Sequence, residues 1–256
     1  ERLNEPGLSL VNESSKSVST SATEPTENQQ AADADNQPDR PIRTPEARQA
    51  WVSELRKRYS LPVQQWPRPH VDEDVQWQEI GLLPDVVHPD DNPYSAEKAE
   101  LGKRLFFDPR LSGSQQIACA SCHDPDLGWA DGRSTSFGHS RKQLRRNAPS
   151  VRNIAHASVF FWDGRAQSLE EQAVAVLSNV DEMRSSQQVI DRLLAEDEAY
   201  RKAFQALFGE EAIEVQHVAK VLACFERTIV GGKSRFDRFM RGNRDSFTEP
   251  EWIGLD

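Results

Sequence analysis

Five consecutive residues, Cys119-Ala120-Ser121-Cys122-His123, constrain the chemistry of this chain more than any others. The spacing sets two thiols to form thioethers with the vinyl groups of a porphyrin, and the imidazole that follows can ligate its iron. This is the attachment signature of a c-type haem. A redox C-x-x-C needs no following His, and a structural zinc site needs a second ligand pair, whereas the only other cysteine is Cys224. The alternative is a chance pentapeptide holding two free thiols. With haem attached, His123 is the proximal ligand and the rest of the fold decides what the other face of the iron does.

Several residues could serve that other face. His139 follows Gly138, which allows an unusual backbone turn, on a loop long enough to pass round to it. It reads equally well as a second, removable iron ligand and as a surface His on a glycine-rich loop. His70 and His88 stand in a proline-rich stretch, where a lone His is usually solvated or locally bonded. Glu182, in Asn179-Val180-Asp181-Glu182-Met183, is either an acid/base group beside the haem or a solvated loop carboxylate, and the sequence favours the second. Trp162, in Phe160-Phe161-Trp162-Asp163-Gly164-Arg165, belongs to an aromatic cluster against a turn, most simply core. Cys224 falls inside an apolar helical pattern and reads as a small buried hydrophobe.

The elements that must position these residues are helical. Thr44 caps a helix over residues 45–59, with Trp51, Leu55 and Tyr59 on one stripe. Residues 61–92 contain five prolines and read as an extended wrap. Ser95 caps a helix over 96–107 that buries Leu101, Leu105 and Phe106, and the turn-forming run 108–114 delivers the chain to the haem motif. After His123 comes a long loop, of the kind that is usually functional. Ser168 and Glu171 form a capping box opening a helix with Gln172, Val176 and Leu177. Helices are then expected over 189–194, 200–208 and 215–229, the last with Val218, Val221, Leu222, Phe225 and Ile229 on one face, and another starts near 236–240. The fold class is all-α: a class I cytochrome c-like haem domain of short helices and long loops, with a disordered N-terminal tail.

Composition adds a boundary. Residues 1–43 form an acidic tether too poor in apolar side chains to pack; residues 1–40 hold eight acidic and three basic residues, net −5 of the chain's −10, so the acidic balance says little about partners. No apolar run approaches the roughly 18 residues of a membrane span. The first residue is Glu, which suggests a trimmed product whose upstream part held a cleaved signal or a membrane anchor. Covalent haem attachment in bacteria takes place outside the cytoplasm, so a periplasmic location is expected. The basic cluster Arg141, Lys142, Arg145 and Arg146 suits haem propionates or a donor protein better than nucleic acid.

The motifs LGKRLFFDPRLSGSQQIACASCHDP, DGRSTSFGH, RNAPSVRN, FFWDGRAQSLEEQA, VDEM and CFERTIVGGKSRFDRFMRG together resemble the bacterial dihaem cytochrome c peroxidases and their relatives of the MauG type, over about residues 93–242. The resemblance implies an N-terminal peroxidatic haem domain at 93–232, preceded by an extension at 44–92 and followed at 233–256 by a linker and the start of a second haem domain. It implies haem c on Cys119 and Cys122, His123 as proximal iron ligand, and His139 as a distal iron ligand that leaves on activation. Gln172 and Glu182 match the distal polar pair, Trp162 the tryptophan between the two haems, and Asn147 a calcium ligand. The expected activity is reduction of hydrogen peroxide with electrons from a small cytochrome c or cupredoxin, in a protein that the family allows to be a homodimer. Oxidation of a partner protein's side chains in the MauG manner, and a non-catalytic single-haem carrier or sensor, are the alternatives. The family's second C-x-x-C-H motif does not occur in the sequence, which implies a fragment.

Overall fold

The computed structural model describes residues 44–209 and 212–256. The expected disordered tether at 1–43 lies outside them. Among them, residues 44–53 and those from 54 onward separate as two units.

Helix α1 (Pro45–Arg58) begins where Thr44 predicts, its Oγ1 accepting from the Ala47 amide at 3.2 Å. Helix α2 (Ala96–Phe106) begins at Ser95, whose hydroxyl accepts from the Lys98 amide. Helix α3 (Leu169–Ser178) is capped by Ser168 on the Glu171 amide; the Glu171 carboxylate accepts from the Gln167 amide, one residue beyond the Ser168 amide of a standard capping box. Then follow α4 (Gln187–Glu196), α5 (Glu198–Phe208), α6 (Val215–Glu226), α7 (Arg235–Met240) and α8 (Glu249–Leu255). The protein is all-α, and among the described residues β-structure is limited to isolated bridges.

The core forms where α2 crosses α6. Gly102 lets the two backbones touch: a Cβ there would collide with the Val221 carbonyl oxygen. Leu105, Phe106, Val218, Leu222 and Phe225 fill the crossing with Tyr200 and Phe204 of α5 and Ile190 of α4. Each is buried, and each such side chain contributes roughly 1.5–3 kcal/mol. The α3 face packs through Leu169 on Ala223, alongside Phe160 and Ala166.

A second, aromatic cluster joins Tyr59 and Trp66 to Phe239, Phe247 and Trp252, with ring centroids 5.0 Å apart for Tyr59–Trp66 and 5.2 Å for Phe239–Trp252. Residues 233–256 thus hold two short helices with their own packing, the first at the helical start expected near 236–240. The proline-rich stretch is extended apart from turns at Val63–Gln65, at 72–75 and at 89–92, and it is pinned at its ends by Trp66 and by Asn92. Asn92 donates to Glu170 and to the Lys220 carbonyl, and Glu170 pairs through both carboxylate oxygens with the buried Arg227. Between those ends Trp77 and Val87 stay exposed.

Candidate active site

The haem motif sits on a single 3-10 turn, Cys119–Ser121, held by the Ser121 hydroxyl accepting from the Ala118 amide at 3.0 Å. The amides of Cys122 and His123 both return to the Cys119 carbonyl, so three residues reverse the chain and bring Cys122 and His123 to the wall of one cavity of about 610 Å³. Burial pushes both thiols up. Cys119 has Glu226 as its next cause, and Cys122 is raised to about 11, with Asp131 and Glu182 adding to burial. Both are thiols at neutral pH, which suits covalent attachment and not a thiolate metal site.

His123 Nδ1 donates to the Trp129 carbonyl at 3.2 Å. That carbonyl is aimed by two successive left-handed residues, Gly128 and Trp129. Burial lowers the imidazole pKa against the opposing pull of Trp129, Asp131 and Pro149, so the ring is neutral and Nε2 keeps its lone pair. A fixed tautomer with a backbone acceptor behind it is what a ligating His requires.

Part of the cavity wall comes from α3. Leu169, Gln172 and Val176 recur at helical spacing on the side that lines the cavity, and Asn179 ends the helix there. The turn after it carries Glu182, half-buried, with Oε1 accepting from Asn179 Nδ2 at 3.0 Å. Desolvation is the largest influence on Glu182 and raises its pKa; Arg165 and the Asn179 bond oppose it. Trp162 lines the same cavity, still more than half exposed, its Nε1 donating to the Asn147 carbonyl at 3.2 Å. Asn147 borders the cavity, but among the described residues no three His, Cys, Asp or Glu side chains are placed to hold a cation, so a calcium role rests on resemblance alone.

The cavity therefore brings together Cys122, His123, Asn147, Trp162, Gln172 and Glu182. It leaves out His139, whose Nε2 instead meets Arg184 Nη1 at 3.2 Å, and also His70 and His88. Cys119 packs half-buried against the core beside the motif.

Sequence reasoning missed three residues here: Asn179, Arg184 and Glu226. Glu226 is 7% exposed, lines the cavity from α6, and has an Oε2 without a hydrogen-bond partner; burial pushes its pKa up to about 8. The available signal was its place four residues after Leu222 on the buried stripe, where a carboxylate is out of character.

A c-type haem fits these residues. His123 lines the cavity with Cys122 beside it, the wall is mainly apolar, and Arg145, with Arg146 and Arg165 paired to Asp163, stands on the lining where propionates would need positive charge. A family model described as di-haem cytochrome c peroxidase matches residues 96–245. The chain belongs to that family.

Two relatives illustrate its range. The methylamine utilization protein MauG of Methylorubrum extorquens is 44% identical over 162 residues, 63% of this chain and 46% of MauG. The cytochrome c551 peroxidase of Nitrosomonas europaea is 40% identical over 164 residues, 64% of this chain and 49% of the relative. Among solved structures, a MauG-like protein associated with microbial copper homeostasis superposes with a TM-score of 0.64 at 33% identity, covering 71% of this chain and 54% of its own. The diheme peroxidase BthA of Burkholderia thailandensis gives 0.55 at 27% identity, covering 64% and 46%. The chain spans about half the length of the curated members of the di-haem peroxidase family that it matches.

Proposed function

We propose that this chain is the haem domain at which a di-haem cytochrome c peroxidase reduces hydrogen peroxide to water. The observation that carries the reading is the placement of Glu182, a half-buried carboxylate with a raised pKa, on the same cavity as Gln172 and the neutral His123. When bound, the haem supplies an open position for peroxide and the electron-transfer chemistry. The net change consumes two electrons and two protons for each peroxide and yields two waters.

The side chains divide the remaining work. Glu182 as carboxylate takes the proton from one peroxide oxygen and returns it to the other, which departs as water; burial raises its pKa and so makes it a better proton acceptor than a solvated carboxylate. Gln172 offers an amide that donates to one peroxide oxygen and accepts from the other, fixing its direction. Burial keeps His123 neutral, and its bond to the Trp129 carbonyl fixes the tautomer. His139 is bonded to Arg184 and is not among the residues that line the cavity.

Electrons come, in this reading, from a small cytochrome c or cupredoxin in the periplasm, and a second haem belongs to the half of the family fold beyond this chain. Among the described residues no helix is long and apolar enough to cross a membrane. The test is Glu182→Gln in the full-length protein with both haems. Haem content and spectra are expected to hold while peroxide turnover falls about 10²–10⁴-fold. Turnover within a few-fold of the parent would remove Glu182 from the mechanism.

A further inference from the structure

We propose that Arg184 is a latch for His139: its guanidinium occupies the imidazole lone pair and so holds the loop histidine off the haem cavity, which makes Arg184 a positioning residue for peroxide access. The proposal rests on the haem-peroxidase reading of the cavity.

The argument starts from proton inventory. A guanidinium can only donate, so at the 3.2 Å contact between Arg184 Nη1 and His139 Nε2 the imidazole nitrogen is the acceptor. The ring proton of neutral His139 is then on Nδ1, a buried atom with no hydrogen-bond partner. Only Nε2 retains a lone pair, and Arg184 already uses it. Ligation of a metal by neutral His139 and the Arg184 bond are therefore mutually exclusive.

The backbone holds both partners in place. Arg184 ends the turn that begins at Asn179, its amide donating to the Asn179 carbonyl at 2.9 Å, and it holds a left-handed φ of +48°. Gly113 lies flush beneath it: its amide donates to the Met183 carbonyl at 2.9 Å, and a Cβ at Gly113 would strike the Arg184 carbonyl. The same turn aims Glu182 into the cavity. On the other side, the His139 amide donates to the Asp181 carbonyl, the His139 carbonyl accepts from the Lys142 amide, and the Lys142 ammonium pairs with the Asp181 carboxylate; Gly138 permits the approach because a Cβ there would hit the Asp181 carbonyl oxygen. Ser140 and Arg141 follow with φ of +54° and +59°, two consecutive non-glycine residues in the left-handed region. Both partners thus sit on turns that hold left-handed residues, Arg184 on one backed by Gly113 and His139 on one tied to Asp181, so the contact between them is set by interlocking backbone. One short turn presents the proton-handling carboxylate inward and the latch outward.

The test uses the full-length, haem-loaded ferric protein, read by electron paramagnetic resonance and optical spectra for the haem at Cys119 and Cys122. Arg184→Leu should raise its low-spin to high-spin ratio about tenfold, the scale of one lost charge-assisted hydrogen bond. Arg184→Leu combined with His139→Ala should return it to the parent high-spin state. Arg184→Gln, which keeps a neutral donor and guards against a folding defect in the leucine variant, should fall between. A spin state unchanged in both single variants would overturn the latch, as would low-spin character that survives loss of His139, or a parent already low-spin through His139. If the spin states behave as expected but no variant and no parent reduces peroxide, the latch stands and the peroxidase reading falls.

Discussion

The side-chain amide of Asn179 donates to Oε1 of Glu182 at 3.0 Å, and its own Oδ1 accepts from the Asp181 amide at the same distance. One residue at the end of α3 therefore shapes the turn and stabilises the charge of the carboxylate it delivers. Burial raises the Glu182 pKa, and the Asn179 bond works against that rise. Glu182 accepts a proton as carboxylate, so turnover is lost as pH falls through its pKa. Asn179→Ala removes a bond that favours the charged form, and the acid limb of kcat/KM is expected to move to higher pH. A limb that stays in place would mean that another group sets it.

Gly102 and Val221 set the distance between α2 and α6, and the crossing leaves no room for a side chain at Gly102. The crossing matters for the site because α2 carries Phe106, whose ring lies 6.4 Å from that of His123, and α6 carries Glu226. Gly102→Ala should force the helices apart and cost about 1–3 kcal/mol or more, since a backbone carbonyl cannot rotate away as a side chain can. Urea unfolding of the haem-loaded protein would measure it, and a midpoint equal to the parent's would show that the crossing relaxes freely.

These contacts mark how far the sequence could be read. The haem motif, the Ser95 and Ser168 caps and the buried stripes were legible because each depends on residues within a few positions of one another. The last helical stripe was overextended to Ile229. Helix α6 ends at Glu226, where the Thr228 hydroxyl takes the Phe225 carbonyl at 2.6 Å and offers the backbone a turn in place of another helical step. Helix α8 was overlooked although Thr248 and Glu251 make a capping box, since Pro250 reads as a breaker unless it is recognised at the first turn. Gln172 and Glu182 were placed on one cavity by resemblance, and α3 with its turn supplies the physical reason. The meeting of His139 with Arg184 was not legible: it needs the loops near 113, 138 and 183 to interlock, and no local pattern encodes that.

Glu226 poses a different question, because a carboxyl 7% exposed on a haem-sized cavity must be neutral, paired or costly. Its Oε2 has no hydrogen-bond partner, and burial raises its pKa from 4.5 to about 8 against the pull of Arg227. Between those two pH values the folded protein holds a proton that the unfolded chain has released. Stability therefore falls as pH rises through the window, by about 1.4 kcal/mol per unit, and the loss is complete above the folded pKa. Glu226→Gln keeps the shape and cannot ionise. Measured by urea unfolding of the haem-loaded protein, the variant is expected to gain on the parent steadily from pH 5 to pH 8 and then level off. A difference that is constant across that range would place the Glu226 titration near the ordinary carboxylate value, and with it a charged group inside the cavity at neutral pH.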